Sequence, residues 1–216
     1  VNRDVLIPRQ DTECLVEEAL IELQDGMSVL DMCTGSGCII ISIMKYKNEI
    51  NGVAVDISEK ALKTAQKNAE RHTVNDRLRF IKSNLFEKGA EIKEALQLLA
   101  EERNKNPEYA GRFDVLISNP PYIRTEVIDS LMPEVREHEP LIALDGTADG
   151  LYFYREIIDK GRAYINSGGL IFLEIGYDQG EAVTKLLEDN GYQDVRVIKD
   201  FAGLNRVVCA RRVGVN

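Results

Sequence analysis

Just after the apolar run Val115-Leu116-Ile117 the chain reads Asn119-Pro120-Pro121-Tyr122. These residue types suit one uncommon task, the handling of a planar –NH2 group that is a poor nucleophile. The Asn119 carboxamide oxygen accepts one hydrogen bond, and Pro120, which has no N–H of its own, offers its carbonyl as a second acceptor in a fixed backbone. Two acceptors can hold both hydrogens of an amide or aromatic amine and turn its lone pair toward an electrophile. Pro121 restricts Pro120 to an extended conformation, and Tyr122 offers a flat face to a planar substrate. A rigid turn closing a strand is the plainer use of the same four residues.

A second set surrounds Val29-Leu30-Asp31-Met32-Cys33-Thr34-Gly35-Ser36-Gly37-Cys38, where an apolar strand enters a small-residue turn and then a helix. Gly35 and Gly37 permit tight backbone angles and close approach of a ligand. Ile40 occupies the third glycine position of the dinucleotide fingerprint, and the lysine of a phosphate-binding loop is missing, so a ligand with little phosphate is expected. Asp56 closes the next strand, where an acid can accept both hydroxyls of a ribose. Alone, it would also serve as local turn chemistry. Ser83-Asn84-Leu85-Phe86 follows the third strand, where Asn84 can hydrogen-bond an adenine amine and Leu85 can pack on the ring; a strand-end turn explains this segment equally well.

Alternating strand-like and helix-like segments must carry these groups. Strands are expected at Met27–Met32, Gly52–Asp56, Leu78–Ile81, Phe113–Ile117, Leu170–Ile175, Asp194–Ile198 and Arg206–Ala210. The last two, joined by a short glycine-containing loop, read as an antiparallel hairpin. A helix over about Cys38–Lys47 follows the glycine turn. Ser58 caps another with apolar Ala61, Leu62, Ala65 and Ala69 at a 3.6-residue period. Helical stripes also mark Val16, Ala19, Leu20 and Leu23, then Leu151, Tyr154, Ile158 and Ile165 within a helix over about Gly150–Ile165, then Ala182, Val183, Leu186 and Leu187. The order predicts an α/β fold whose mostly parallel sheet is covered on both faces, with its ligand at the carboxyl ends of the first strands. Residues 87–112 exceed a typical connection. With Ile92, Ala95, Leu96 and Leu99 at helical spacing among many charges, they are expected to form an inserted surface helix without chemistry.

The 216 residues, 44 % of them apolar, suffice for one large α/β domain. The formal charge of −9, from 27 basic and 36 acidic side chains, argues against general binding to nucleic acid. No apolar run approaches the roughly 20 residues of a membrane span, and no secretory leader is visible. Val1 in place of an initiator Met suggests a piece of something longer. Cys14, Cys33, Cys38 and Cys209 form no C-x-x-C pair, and only His72 and His138 supply imidazole, so no metal site is expected and a cytoplasmic protein with reduced thiols is.

Taken together, the Asp31–Gly37 turn, Asp56 and Asn119–Tyr122 resemble a class I S-adenosylmethionine-dependent methyltransferase acting on nitrogen. Within that class the chain is similar over essentially its whole length to the PrmC/HemK family, the protein-(glutamine) methyltransferases of peptide-chain release factors. Leu6-Ile7-Pro8-Arg9-Gln10-Asp11-Thr12-Glu13 resembles the family's signature before the catalytic domain. So do Glu137-His138-Glu139-Pro140, Ala143-Leu144-Asp145-Gly146, Asp149-Gly150-Leu151, Tyr154-Arg155 and Glu174-Ile175-Gly176. The resemblance implies a Rossmann-like seven-stranded sheet, with residues 1–26 leading into a catalytic domain over 27–216. The family's N-terminal helical domain, which helps dock the release factor, is expected to be absent. Gln10-Asp11 stands where the family usually has Pro-Glu, Asn84 stands where Asp is common, and the 87–112 segment is longer than usual.

Carried over residue by residue, Asp31 would belong to the site of S-adenosyl-L-methionine, Cys33, Thr34, Gly35, Ser36 and Gly37 would line its methionine part, Asp56 would hold its ribose, and Asn84 and Leu85 would border its adenine. Asn119, at the cofactor's methyl, would grip the substrate amide with Pro120, beside Pro121 and Tyr122. Arg9, Thr12 and Glu13 would shape the entrance; by composition they serve equally as a cap for the first helix. The implied partner is a release factor, with no direct nucleic-acid or membrane contact and a monomeric state expected. An adenine amino-group methyltransferase of DNA or RNA, and a non-catalytic cofactor-binding module, are the competing readings.

Overall fold

The computed structural model describes residues 3–102 and 111–214. Seven strands form one sheet: β1 (Ser28–Met32), β2 (Asn51–Asp56), β3 (Leu78–Lys82), β4 (Phe113–Ser118), β5 (Ile165–Glu174), β6 (Tyr192–Lys199) and β7 (Asn205–Arg212). Their spatial order is β3-β2-β1-β4-β5-β7-β6. The first five pair in parallel, and β7 runs antiparallel between β5 and β6. β1 and β2 are buried along nearly their whole length, as strands covered on both faces must be.

Helices α1 (Thr12–Glu22), α2 (Cys38–Tyr46) and α3 (Glu59–Arg71) cover one face. Their apolar residues pack with Val29, Ala54, Val115, Ile117 and Phe172. Helices α4 (Gly89–Glu102), α7 (Tyr152–Gly161) and α8 (Gly180–Asp189) cover the other, against Leu30, Met32, Val53, Val55, Leu116 and Leu173. Between β4 and α7 lie two four-residue helical turns, α5 (Thr125–Ile128) and α6 (Pro133–Arg136). Alternation along each strand thus feeds two cores, one per face. As the Ser-cap pattern predicts, the Ser58 side chain accepts a hydrogen bond from the Ala61 N–H at the start of α3. Among the described residues no helix is long and apolar enough to cross a membrane.

Two expectations are corrected. The helix expected through Ile165 ends at Gly161, and Ile165 opens β5 in register with Phe113. The Phe113 N–H donates to the Tyr164 carbonyl at 2.7 Å, so a strand pairing takes the residues that a helical stripe had claimed. The expected inserted surface helix is a full member of the α4–α7–α8 layer. Ile92 and Leu99 are fully buried, with Ala95 and Leu96 nearly so, and α4 packs on β2 and β3. Its charges occupy the solvent side of an amphipathic helix. Residues 103–110 of the expected insertion lie outside the described residues.

Candidate active site

β1 has β2 on one side and β4 on the other, so the sheet's direction of winding reverses between β1 and β4. A crevice forms beyond the carboxyl ends at such a reversal. Met32 pairs with Ser118. The turn after β1 and the Asn119 segment after β4 therefore leave the sheet side by side, pinned by the Ser118 hydroxyl donating to the Met32 carbonyl at 2.6 Å.

The turn is built from its own hydrogen bonds. The Thr34 hydroxyl donates to Asp31 Oδ2 at 2.6 Å, its N–H to the Val55 carbonyl at 3.0 Å, and the Gly37 N–H to the Thr34 carbonyl at 2.8 Å. Asp56 Oδ2 accepts the Gly35 N–H at 2.9 Å, while its Oδ1 accepts the Ser58 N–H at 2.8 Å, tying β2 to the turn. Gly37 has φ +77°, and a Cβ there would lie 2.9 Å from Ile41 and 3.1 Å from Ala65. Gly35 has φ +56° and faces open space within 4 Å. Cys33 and Leu85 take left-handed φ values of 61° and 48°, at a cost of roughly 1–2 kcal/mol each for residues with a side chain. Both border the same cavity.

That cavity measures about 280 Å³. Cys33, Thr34, Gly35, Ser36, Asp56, Asn84, Leu85, Asn119 and Pro121, all expected site residues, line it together with Thr12, which was expected at the entrance. The start of the chain (Asp4, Val5, Leu6, Pro8) and the segment Pro140, Ile142, Ala143 roof it. A guanidinium clasp joins the two roof pieces: Arg9 Nη2 donates to both Glu139 oxygens at 2.7 and 2.8 Å, and the Glu139 side chain is 1 % exposed. Asp31 is wholly buried under the turn and its Oδ1 has no hydrogen-bond partner. Burial, opposed by the Thr34 bond, raises its acid to about 7. An open glycine backbone, a strand-end acid and an unpartnered carboxylate oxygen fit a ribose-bearing ligand with an N–H or ammonium group.

Other expected residues fall elsewhere. Arg9 and Glu13 line a second depression with Val16, Leu20, Ile39 and Tyr46, which adjoins the cavity through Pro8, Thr12 and Cys38. Gly37 is buried against α3. Pro120 is buried, and Tyr122 is half-buried with its phenol held up at about 12 by burial and by the charge of Glu174. Asn84, though it lines the cavity, donates its amide to Glu87 at 2.7 Å.

The residues around Tyr122 show what the motif alone conceals. Gln179 is 4 % exposed; its Nε2 donates to the Tyr122 and Gly150 carbonyls at 3.0 and 3.1 Å, and its Oε1 accepts the Gly176 N–H at 2.9 Å. A Cβ on Gly146 would sit 2.7 Å from Tyr122 Cα, and one on Gly150 2.5 Å from the Tyr122 carbonyl. These glycines let two backbones touch, and so fix the strand exit that carries Asn119. Glu174 is 1 % exposed, with Oε2 unpartnered and its acid raised to about 7 by burial. Gln179 and the role of Glu174 escape sequence reading, because their partners are backbone groups and neighbours on other strands; the Glu174-Ile175-Gly176 block was the only signal.

The family described as "Methyltransferase domain" matches residues 23–191, which makes this chain a methyltransferase. A Clostridium acetobutylicum protein named release factor glutamine methyltransferase is 41 % identical over 217 residues, covering 100 % of this chain and 70 % of the relative. A Clostridium botulinum protein of the same name is 41 % identical over 214 residues, covering 98 % and 70 %. The chain belongs to the release factor glutamine methyltransferase family. For the fold alone, a solved E. cuniculi Mtq2–Trm112 complex, described as responsible for methylation of the eRF1 translation termination factor, superposes with a TM-score of 0.61 at 18 % identity, covering 97 % of this chain and 99 % of that one.

Proposed function

We propose that this protein transfers a methyl group from S-adenosyl-L-methionine to the side-chain amide nitrogen of a glutamine in a peptide-chain release factor. The carrying observation is that the glycine turn after β1 and Asn119 after β4 open on one cavity at the sheet's reversal point. S-adenosyl-L-methionine supplies an electrophilic methyl carbon on a sulfonium and leaves as S-adenosyl-L-homocysteine. We assign Asp31 and Cys33–Gly37 to its methionine part, Asp56 to the ribose hydroxyls, and Asn84 and Leu85 to the adenine. Asn119 and the Pro120 carbonyl receive the two hydrogens of the substrate amide, Pro121 and Tyr122 flank it, and Arg9 and Glu13 shape the approach.

The chain's residues work chiefly by placement. A carboxamide lone pair is delocalised into its carbonyl, and removing a proton first would be very costly. Well-oriented reactants gain up to roughly 7–11 kcal/mol in favourable cases. Hydrogen bonds from the amide to Asn119 and Pro120 strengthen as positive charge grows on nitrogen, so they favour the transition state over the bound substrate, and one N–H proton leaves to solvent during or after the transfer as the sulfonium's bond to the methyl carbon breaks.

In this reading residues 27–216 form the catalytic domain and 1–26 lead into it; the protein acts as a cytoplasmic monomer without nucleic acid. Mass spectrometry of a release factor incubated with the full-length enzyme and S-adenosyl-L-methionine tests it. One methyl group is expected on a glutamine flanked by glycines. Methyl incorporation into DNA or RNA, with the release factor untouched, would overturn it.

A further inference from the structure

Glu174 follows Leu173, the partner of Ser118, so Glu174 and Asn119 stand abreast at the ends of adjacent parallel strands. Strand alternation sends both side chains to the face shared by Ile117 and Phe172, under the start of α1. The Thr12 hydroxyl and the Asn119 carboxamide face the enclosed carboxylate. An ionised carboxylate only accepts hydrogen bonds, whereas a carboxamide has one donating and one accepting end. An ionised Glu174 would therefore select the –NH2 of Asn119 and leave its oxygen free for the cavity that Asn119 lines.

We propose that Glu174 is a positioning residue for methyl transfer, gripping the Asn119 –NH2 from behind so that the Asn119 oxygen is presented to the substrate amide. The inference rests on the glutamine-amide reading above. A protonated Glu174 would instead donate to the Asn119 oxygen and turn the carboxamide round. The charged and titratable groups facing Glu174 are Asp11 before α1, Cys38 of α2, Tyr122 after β4, Tyr154 of α7 and Arg206 of β7. Burial raises the Glu174 acid to about 7, against the Thr12, Arg206 and Asn119 contacts that favour its charge. Turnover should accordingly rise with pH through about 7.

The test compares full-length wild type, Glu174→Gln and Glu174→Met with a release factor and S-adenosyl-L-methionine. Glu174→Met, which has no acceptor, should lower kcat by about 100-fold, the scale of one lost electrostatic contact, with donor affinity by calorimetry nearly unchanged. Glu174→Gln can still turn its oxygen to Asn119, so it should stay within about tenfold of wild type and lose the rise near neutral pH. Wild-type kcat in Glu174→Met, or the same pH limb in Glu174→Gln, would overturn the proposal. A readout independent of turnover separates this idea from the function it rests on. The side-chain –NH2 resonances of Asn119, identified by their loss in Asn119→Ser, should be shifted in wild type by the carboxylate and move in Glu174→Gln. Resonances unaffected by that substitution would sink the inference while leaving release-factor methylation standing. If Glu174→Met does not fold, the Gln variant's pH profile and spectrum still decide.

Discussion

In the proposed reaction Asn119 is the residue on which the chemistry turns, since it lines the cavity beside the glycine turn. Asn119→Ala should cost at least about 100-fold in kcat, the scale of one lost transition-state contact, while calorimetry finds cofactor affinity much less affected; near-normal turnover in a labelled-methyl assay would remove it from that role. Asp31 makes a different prediction. Its folded-state acid lies at about 7 against an ordinary 3.8, so the stability it contributes is fully present below about pH 4 and is lost as pH rises through 7. Unfolding free energy measured between pH 5 and 8 should fall with pH in wild type and fall less steeply in Asp31→Asn; equal slopes would refute the assignment. That Asn119, Asp56 and the glycine turn share one cavity was legible because each stands at the end of a strand marked by local spacing. Glu174 was not, since its meaning comes from the abreast pairing of β4 with β5.

At the scale of elements, the strands were legible to within a few residues because two covered faces demand unbroken apolar runs. The error at α4 came from reading charge as exposure: one helix carries both a solvated face and four core residues. Leu99→Ala should lower unfolding stability by about 2–5 kcal/mol, whereas Leu98→Ala, on the open side of the same helix, should stay within about 0.5 kcal/mol; denaturant titration of the pair distinguishes a core helix from an appended one. Gly146 belongs to a block whose purpose the sequence hides, namely contact of two backbones. Gly146→Ala must push Tyr122 Cα from 2.7 Å, and the Asn119 segment with it. Turnover should drop well before cofactor affinity does, and kcat beside a calorimetric Kd is the measurement.

The whole molecule gathers Asp31, Asn119 and Glu174 at one end of the sheet, where the alternation of neighbouring strands sends them to a single face. The parallel order predicted this end, but the roof could not be read, because its two pieces meet only through tertiary contact. Arg9 grips Glu139 across 130 positions of chain. A clasp of such sequence separation makes the leading residues and the 137–143 stretch a single cooperative unit. In deuterium exchange, amides of residues 4–9 and 137–143 should gain label at matching rates and slow together when the nucleoside is added; independent rates would show two separate flaps. The cavity is thus bordered by two stretches far apart in sequence, and a ribosome-bound nascent chain cannot complete that border until Glu139 has emerged to meet Arg9.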